Sequence, residues 1–137
     1  MRFLLPAAIL ALAAGAAVAA EVESMQTMMA DHVNPGALAF WAGGNDPPEN
    51  ESKAAADARW AEAVKGAQAM QQYGKLMMAP PYTRSGRWNE DAKLLVDVAQ
   101  EGEAVSKARN AEKAFELGAR LYDACKGCHD AYVPRRQ

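Results

Sequence analysis

The segment AEKAFELGARLYDACKGCHDAY, residues 111–132, carries both cysteines of the 137-residue chain. Its apolar residues recur at spacings of three and four, which predicts an amphipathic helix that begins after Asn110. The predicted inward face consists of Ala114, Phe115, Gly118, Leu121, Tyr122, Cys125, Cys128, His129 and Tyr132. Because residues three and four apart share one face of a helix, Cys125, Cys128 and His129 are expected to project together near its end.

Three further helix-prone stretches precede this segment. They are rich in alanine and lack the alternation of β-branched residues that is typical of strands. The predicted helices cover residues 22–42, 51–78 and 90–108, and the turn-rich segments WAGGNDPPENES (41–52) and MAPPYTRSGRW (78–88) separate them. Four amphipathic helices with these connections predict an all-α fold, an antiparallel up-down four-helix bundle.

Each of the three stretches has its own apolar stripe. The predicted stripes are Val22, Met25, Met29 and Val33 in the first helix, Trp60, Val64, Ala67, Met70, Gly74 and Met77 in the second, and Leu94, Leu95, Val98, Gly102 and Val105 in the third. Asn89 is the expected N-cap of the third helix. Proline removes a helix hydrogen bond, so Pro35 is expected to kink the first helix or to open a second short one.

The first twenty residues have the features of a secretory signal. Arg2 precedes an apolar run that ends in AVAA, a small-residue site suited to cleavage after Ala20. Pro6 and Gly15 interrupt the run, which argues against an uncleaved membrane anchor. We therefore expect a signal peptide at 1–20, one domain at 21–137 and export to the periplasm, with no membrane association after cleavage.

The charge balance is mildly acidic. The net charge is −2, so the chain lacks the basic surface that nucleic-acid binding requires. Export also places the two cysteines in an oxidising compartment, where closely spaced thiols tend to oxidise unless another group occupies them.

The CKGCH segment, residues 125–129, is consistent with several chemistries. A redox dithiol is typically found at a helix N-terminus after a strand, whereas this pair lies near a helix C-terminus. A zinc site needs four ligands, and the only other histidine is His32. A disulfide within one helix would constrain almost nothing. Cys-x-x-Cys-His is typical of covalent haem attachment, and this interpretation is favoured.

A four-helix chain with a single Cys-x-x-Cys-His segment near its C-terminus resembles the class II cytochromes c, the cytochrome c prime family. CKGCHDAY (125–132) is similar to the family's C-terminal segment, and MMADHV (28–33) is similar to its distal segment. The resemblance implies that Cys125 and Cys128 form thioether bonds to haem c and that His129 is the proximal ligand of the iron.

The sixth position of the iron is expected to face the first helix, which an antiparallel bundle brings beside the end of the fourth. Met29 is the preferred distal ligand, because it lies on the inward stripe and matches the family's distal methionine. Met25, one turn earlier, is the alternative, and Met28 is interpreted as flanking core. His32 is less favoured, because it borders the break at Asn34-Pro35.

Other residues have structural roles in this prediction. Trp41, Trp60 and Trp88 are expected to pack in the core or at the haem edge. The segment LMM (76–78) is expected to fill the core at the end of the bundle far from the motif. Gly118 is expected to be small so that the macrocycle can lie close.

The function implied is one-electron transfer by a periplasmic protein with His/Met-ligated iron, not an enzymatic activity. The alternative is a five-coordinate haem protein that binds nitric oxide or carbon monoxide, since an open iron favours small ligands and a thioether ligand favours electron transfer. The partners implied are a redox protein, a small gas, or a second copy of the chain joined through the first two helices.

Overall fold

The computed structural model describes residues 22–134, and the predicted signal peptide lies outside these residues. Within this range the chain is all-helical and contains no strand. The helices are α1 (Met25–Met28), a π-helical turn (Met29–Val33), α2 (Asn34–Gly44), α3 (Lys53–Met77), α4 (Trp88–Lys107) and α5 (Ala111–Tyr132). No helix in residues 22–134 has the length and apolar character needed to span a membrane.

The first helical unit runs from α1 through the π turn into α2 without a loop. Ser24 caps its start by accepting a hydrogen bond from the Thr27 amide at 3.0 Å. The expected interruption at Pro35 takes the form of the π turn, in which the Asn34 amide donates to the Met29 carbonyl five residues earlier. Pro35 then lies in the first turn of α2, directly after the π turn, whose wider hydrogen-bond pattern accommodates its missing N–H.

Successive helical units run in opposite directions and contact each other, and α2 also contacts α5. Gly36 of α2 faces Gly66 of α3 so closely that a Cβ on Gly66 would lie 2.3 Å from the Gly36 carbonyl oxygen. On the other side of α2, the Trp41 indole donates to the Gly118 carbonyl of α5 at 3.1 Å. This arrangement of four long helical units is compatible with a four-helix bundle.

The buried faces differ from the predicted stripes in α5 and at one position of α4, where Leu94 was predicted to face inward but is 38% exposed. Phe115 and Tyr122 were predicted to face inward but are 68% and 57% exposed, whereas Leu117 and Ala124 are buried. The buried face is therefore rotated toward α4 by part of a turn, because α5 must contact α2 and α4 together.

The start of α4 also differs from the prediction. The N-cap is Arg87, not Asn89, and Trp88 is the first residue of the helix. The helix begins earlier because the buried Trp88 indole donates a 2.8 Å hydrogen bond to the Met77 carbonyl at the end of α3.

The close approach of α2 and α3 predicts that Gly66→Ala destabilises the protein. The atom that an added Cβ would meet belongs to the Gly36 backbone, so the two helices must separate. Alanine favours helix over glycine by about 1 kcal/mol, which offsets part of this cost. We expect a net loss of about 1–3 kcal/mol in the free energy of unfolding, measured by urea denaturation.

The control variant is Ala61→Ser, which adds one atom on the exposed face of the same helix. Its effect should stay within about 0.5 kcal/mol. A Gly66→Ala protein as stable as the wild type would contradict the close contact.

Candidate functional site

A small apolar pocket lies where the π turn, α3, α4 and α5 meet. Its volume is about 30 Å³, and it is lined by Met29, Val33, Met77, Asp91, Ala92, Leu95, Ala124, Cys125, Cys128 and His129. Three of these residues are those of the CKGCH motif that were predicted to act together. Met29, the first-choice distal ligand, also lines this pocket.

The motif occupies the last turns of α5. Cys125 and Cys128 are half-buried and His129 is exposed at the rim of the pocket, so all three side chains lie on the side of α5 that faces the pocket. At the end of the helix, the Val133 amide donates a hydrogen bond to the His129 carbonyl at 3.1 Å. The thiols therefore lie at the carbonyl end of the helix, where the helix dipole disfavours a thiolate.

Trp88 and Tyr132 hold the end of α5 in place. The two rings meet edge to face, with centroids 5.0 Å apart and an interplanar angle of 88°. The Tyr132 hydroxyl donates to the Ser85 carbonyl at 2.7 Å, in the connection between α3 and α4. Since Trp88 is also bonded to the Met77 carbonyl, the motif is fixed relative to both α3 and α4.

The methionines of the first helical unit divide between core and pocket. Met28 is completely buried in the core, as its interpretation as flanking core implied, whereas half-buried Met29 lines the pocket. Met25 packs at the edge of the core and, among the described residues, is not part of the pocket wall. The π turn begins at Met29, so this change of helix geometry occurs at the residue that faces the motif.

The His32 side chain makes its contacts outside the CKGCH motif. Its ring stacks on Tyr73, with centroids 4.2 Å apart and planes inclined by 6°. Its Nε2 lies 3.1 Å from a carboxylate oxygen of Glu23. The Glu23 carbonyl also accepts a 2.8 Å hydrogen bond from Tyr82, so this cluster ties the start of the first helical unit to α3 and to the connection after it.

Two expectations about residues near the motif were wrong. Met77 was assigned to the far end of the bundle, but it is 1% exposed and lines the motif pocket. The antiparallel course of the chain brings the end of α3, where Met77 lies, beside the end of α5. Gly118 faces Trp41, since a Cβ there would lie 3.0 Å from the indole Cδ1, and it does not border the pocket.

Asp91 is the residue of the site that sequence reasoning missed. Asp91 is one of the residues that line the pocket, and its side chain is 2% exposed. Arg87, one turn earlier, donates to it from Nη2 at 2.7 Å and from Nε at 3.0 Å. An i, i+4 Arg–Asp pair was visible in the sequence, but such pairs are usually exposed, and only the packing of α4 against α5 buries this one.

The pocket disfavours ionisation of both thiols. Burial raises the pKa of Cys125 above its ordinary value. Burial, assisted by the negative charge of Asp91, raises the pKa of Cys128 to about 11, and the positive charge of Arg87 offsets only part of this shift. Both thiols are therefore protonated at neutral pH.

The donor set suits a covalently attached haem. Two thiols and an imidazole from α5 and a thioether from the π turn line one apolar pocket, which matches the ligands that hold c-type haem and its iron. The pocket volume of about 30 Å³ is far below the roughly 300–1,000 Å³ of ligand sites, so side chains such as Met77 and Leu95 must move apart to admit a macrocycle. Within residues 22–134, no group of three or more His, Cys, Asp and Glu side chains is arranged to hold a bare metal ion.

Comparison of the chain with protein-family models, with curated proteins and with solved structures finds no match. The function is therefore inferred from the chemistry and geometry of this site.

The influence of Asp91 on Cys128 can be measured in protein produced without haem. In a Cys125→Ser background, Asp91→Asn should lower the pKa of the Cys128 thiol, because it removes a nearby negative charge. Iodoacetamide reacts with the thiolate, so alkylation at a fixed, mildly alkaline pH should become faster.

Asp97→Asn is the matched control, since Asp97 also pairs with a cation four residues earlier on α4 but its side chain is 43% exposed. Equal alkylation rates in the two variants would contradict the assigned influence of Asp91.

Proposed function

We propose that this chain is an exported c-type haem protein that transfers single electrons. Cys125 and Cys128 would hold the haem by thioether bonds, His129 would ligate the iron, and Met29 would supply the sixth ligand. One observation carries the proposal: these four side chains line the same apolar pocket. When bound, the haem supplies one-electron chemistry through the ferric and ferrous states of its iron.

The state of the thiols argues against a thiol–disulfide oxidoreductase. Such enzymes depend on a cysteine whose pKa is lowered, commonly by a helix N-terminus or a nearby cation. Here burial raises the pKa of both thiols, and the pair lies at the carbonyl end of α5. Cys125 and Cys128 are therefore poor nucleophiles in this environment, which is compatible with cysteines whose role is to tether a cofactor.

The pocket has the polarity that a haem requires. Apolar side chains from α3, α4 and α5 form most of the wall, so they would exclude water from a bound haem. His129 is exposed at the rim, which leaves its imidazole free to turn toward an iron without breaking a side-chain contact within the core. Opening of the pocket would replace contacts among Met77, Leu95 and the cysteines by contacts with the haem.

Two methionines on the pocket wall compete for the sixth position. Met29 is half-buried at the start of the π turn, where the helix hydrogen-bond pattern is irregular and the side chain can adjust. Met77 is fully packed in the core, and its backbone carbonyl is bonded to Trp88, so its thioether has less freedom. Both the family resemblance and the position of Met29 in the irregular π turn favour Met29.

Attachment of haem is tested by spectra of the exported protein under denaturing conditions. The wild type should keep its haem absorbance after acid–acetone extraction, because thioether bonds survive it. Cys125→Ala together with Cys128→Ala should lose this absorbance, whereas Ser106→Ala, a buried substitution away from the pocket, should keep it. A wild-type chain that releases its haem, or contains none, would refute the proposal.

The sixth ligand is tested by the absorption spectra of both oxidation states. Met29→Ala should convert six-coordinate low-spin iron into a five-coordinate high-spin form, because the thioether ligand is removed. Met25→Ala is the matched control on the same helical unit and should leave the spectrum unchanged. Met77→Ala identifies the competing ligand if it, and not Met29→Ala, changes the spin state.

Carbon monoxide distinguishes electron transfer from gas binding. Ferrous wild-type protein should bind it slowly, because the methionine must first dissociate, and Met29→Ala should bind it rapidly. A wild-type protein that is high-spin near neutral pH and binds carbon monoxide rapidly would instead be the five-coordinate gas-binding protein.

A further inference from the structure

Asp91 is the only charged side chain that is buried among residues 22–134, with 2% of its surface exposed. A carboxylate is normally found in water, because removing it from water costs free energy unless a counter-charge and hydrogen bonds compensate. Asp91 is one of the residues that line the pocket beside Cys125, Cys128 and His129. Its position suggests a role in the chemistry of the site.

Asp91 and its counter-charge, Arg87, differ strongly in their exposure to solvent. The Arg87 side chain is 63% exposed, while that of Asp91 is 2% exposed. Water and salt screen an exposed charge much more strongly than a buried one. Asp91 therefore contributes more to the electrostatic potential in the pocket than Arg87 does, although the two groups are hydrogen bonded.

The carboxylate is in direct reach of the motif backbone. A Cβ on Gly127, between the two cysteines, would lie 3.2 Å from Oδ1 of Asp91. The negative charge also contributes to the raised pKa of the Cys128 thiol. Asp91 is thus packed against the segment that precedes His129, and its field reaches the side chains there.

We propose that the Asp91 carboxylate is a potential-setting group, a fixed buried charge that stabilises the ferric state of an iron ligated by His129 and lowers its reduction potential. This inference rests on the proposed haem function. Reduction adds one electron to the iron and removes one unit of positive charge, so a nearby negative charge favours the oxidised form. Arg87 moderates the effect, since its guanidinium partly neutralises the carboxylate.

The decisive measurement is a potentiometric titration of the haem-loaded protein. Asp91→Asn keeps the shape of the side chain and removes its charge, so the midpoint potential should rise. For charges several ångströms apart in a protein interior, we expect the ferric-to-ferrous equilibrium to change by about tenfold. That change corresponds to about 59 mV for a one-electron couple.

Asp97→Asn is the matched control. Asp97 lies on the same helix and pairs with Lys93 at the same i, i+4 spacing, but its side chain is 43% exposed. Its midpoint potential should equal that of the wild type, which separates a specific effect of Asp91 from a change in net charge.

Arg87→Gln provides a second potentiometric test, in which the buried carboxylate is kept. It should lower the midpoint potential, opposite to Asp91→Asn, while Lys93→Gln should leave it unchanged. If Asp91→Asn does not fold, this opposite shift still supports the proposal, and its absence overturns it.

The outcomes distinguish a failure of the proposed role of Asp91 from a failure of the proposed haem function. Covalent haem with equal potentials in the wild type, Asp91→Asn and Arg87→Gln overturns the role of Asp91 and leaves the proposed function intact. A wild-type chain without covalent haem overturns both.

Discussion

The indole of Trp88 holds together the three chain segments on which the site depends. Its N–H is bonded to the Met77 carbonyl at the end of α3, and its ring edge contacts Tyr132 at the end of α5. Since Trp88 is itself the first residue of α4, one buried side chain fixes three helix ends relative to each other. The CKGCH motif lies one turn before Tyr132, so its position follows from this junction.

The pocket combines an apolar wall with a single buried carboxylate. The apolar wall makes the thiolate of Cys128 unfavourable, and the carboxylate adds to that effect. The same two features would act on an iron at His129: low polarity disfavours extra charge, and the negative group at Asp91 compensates the positive charge of the ferric state. The ion pair with Arg87 makes burial of Asp91 tolerable because it satisfies both carboxylate oxygens.

The first helical unit shows where hydrophobic periodicity predicts burial correctly and where it does not. Spacing of three and four placed Met29 on the inward stripe, and it does line the pocket. The same rule placed Val22 there, and Val22 is 60% exposed because α1 begins only at Met25. The interruption at Pro35 was also predicted, but its form as a π turn was not, since a missing N–H can be accommodated by a kink, a stop or a wider turn.

The sequence by itself determined the helical class, the approximate bounds of the helices and the grouping of Cys125, Cys128 and His129, because each follows from spacings within one helix. Only the tertiary structure decided that Met77 lines the motif pocket, that Gly118 faces Trp41 and that the Arg87–Asp91 pair is buried. These facts depend on the rotation of each helix about its axis and on which neighbours it meets. Local periodicity sets that rotation only to within a residue or so, and packing against two neighbours at once sets the rest.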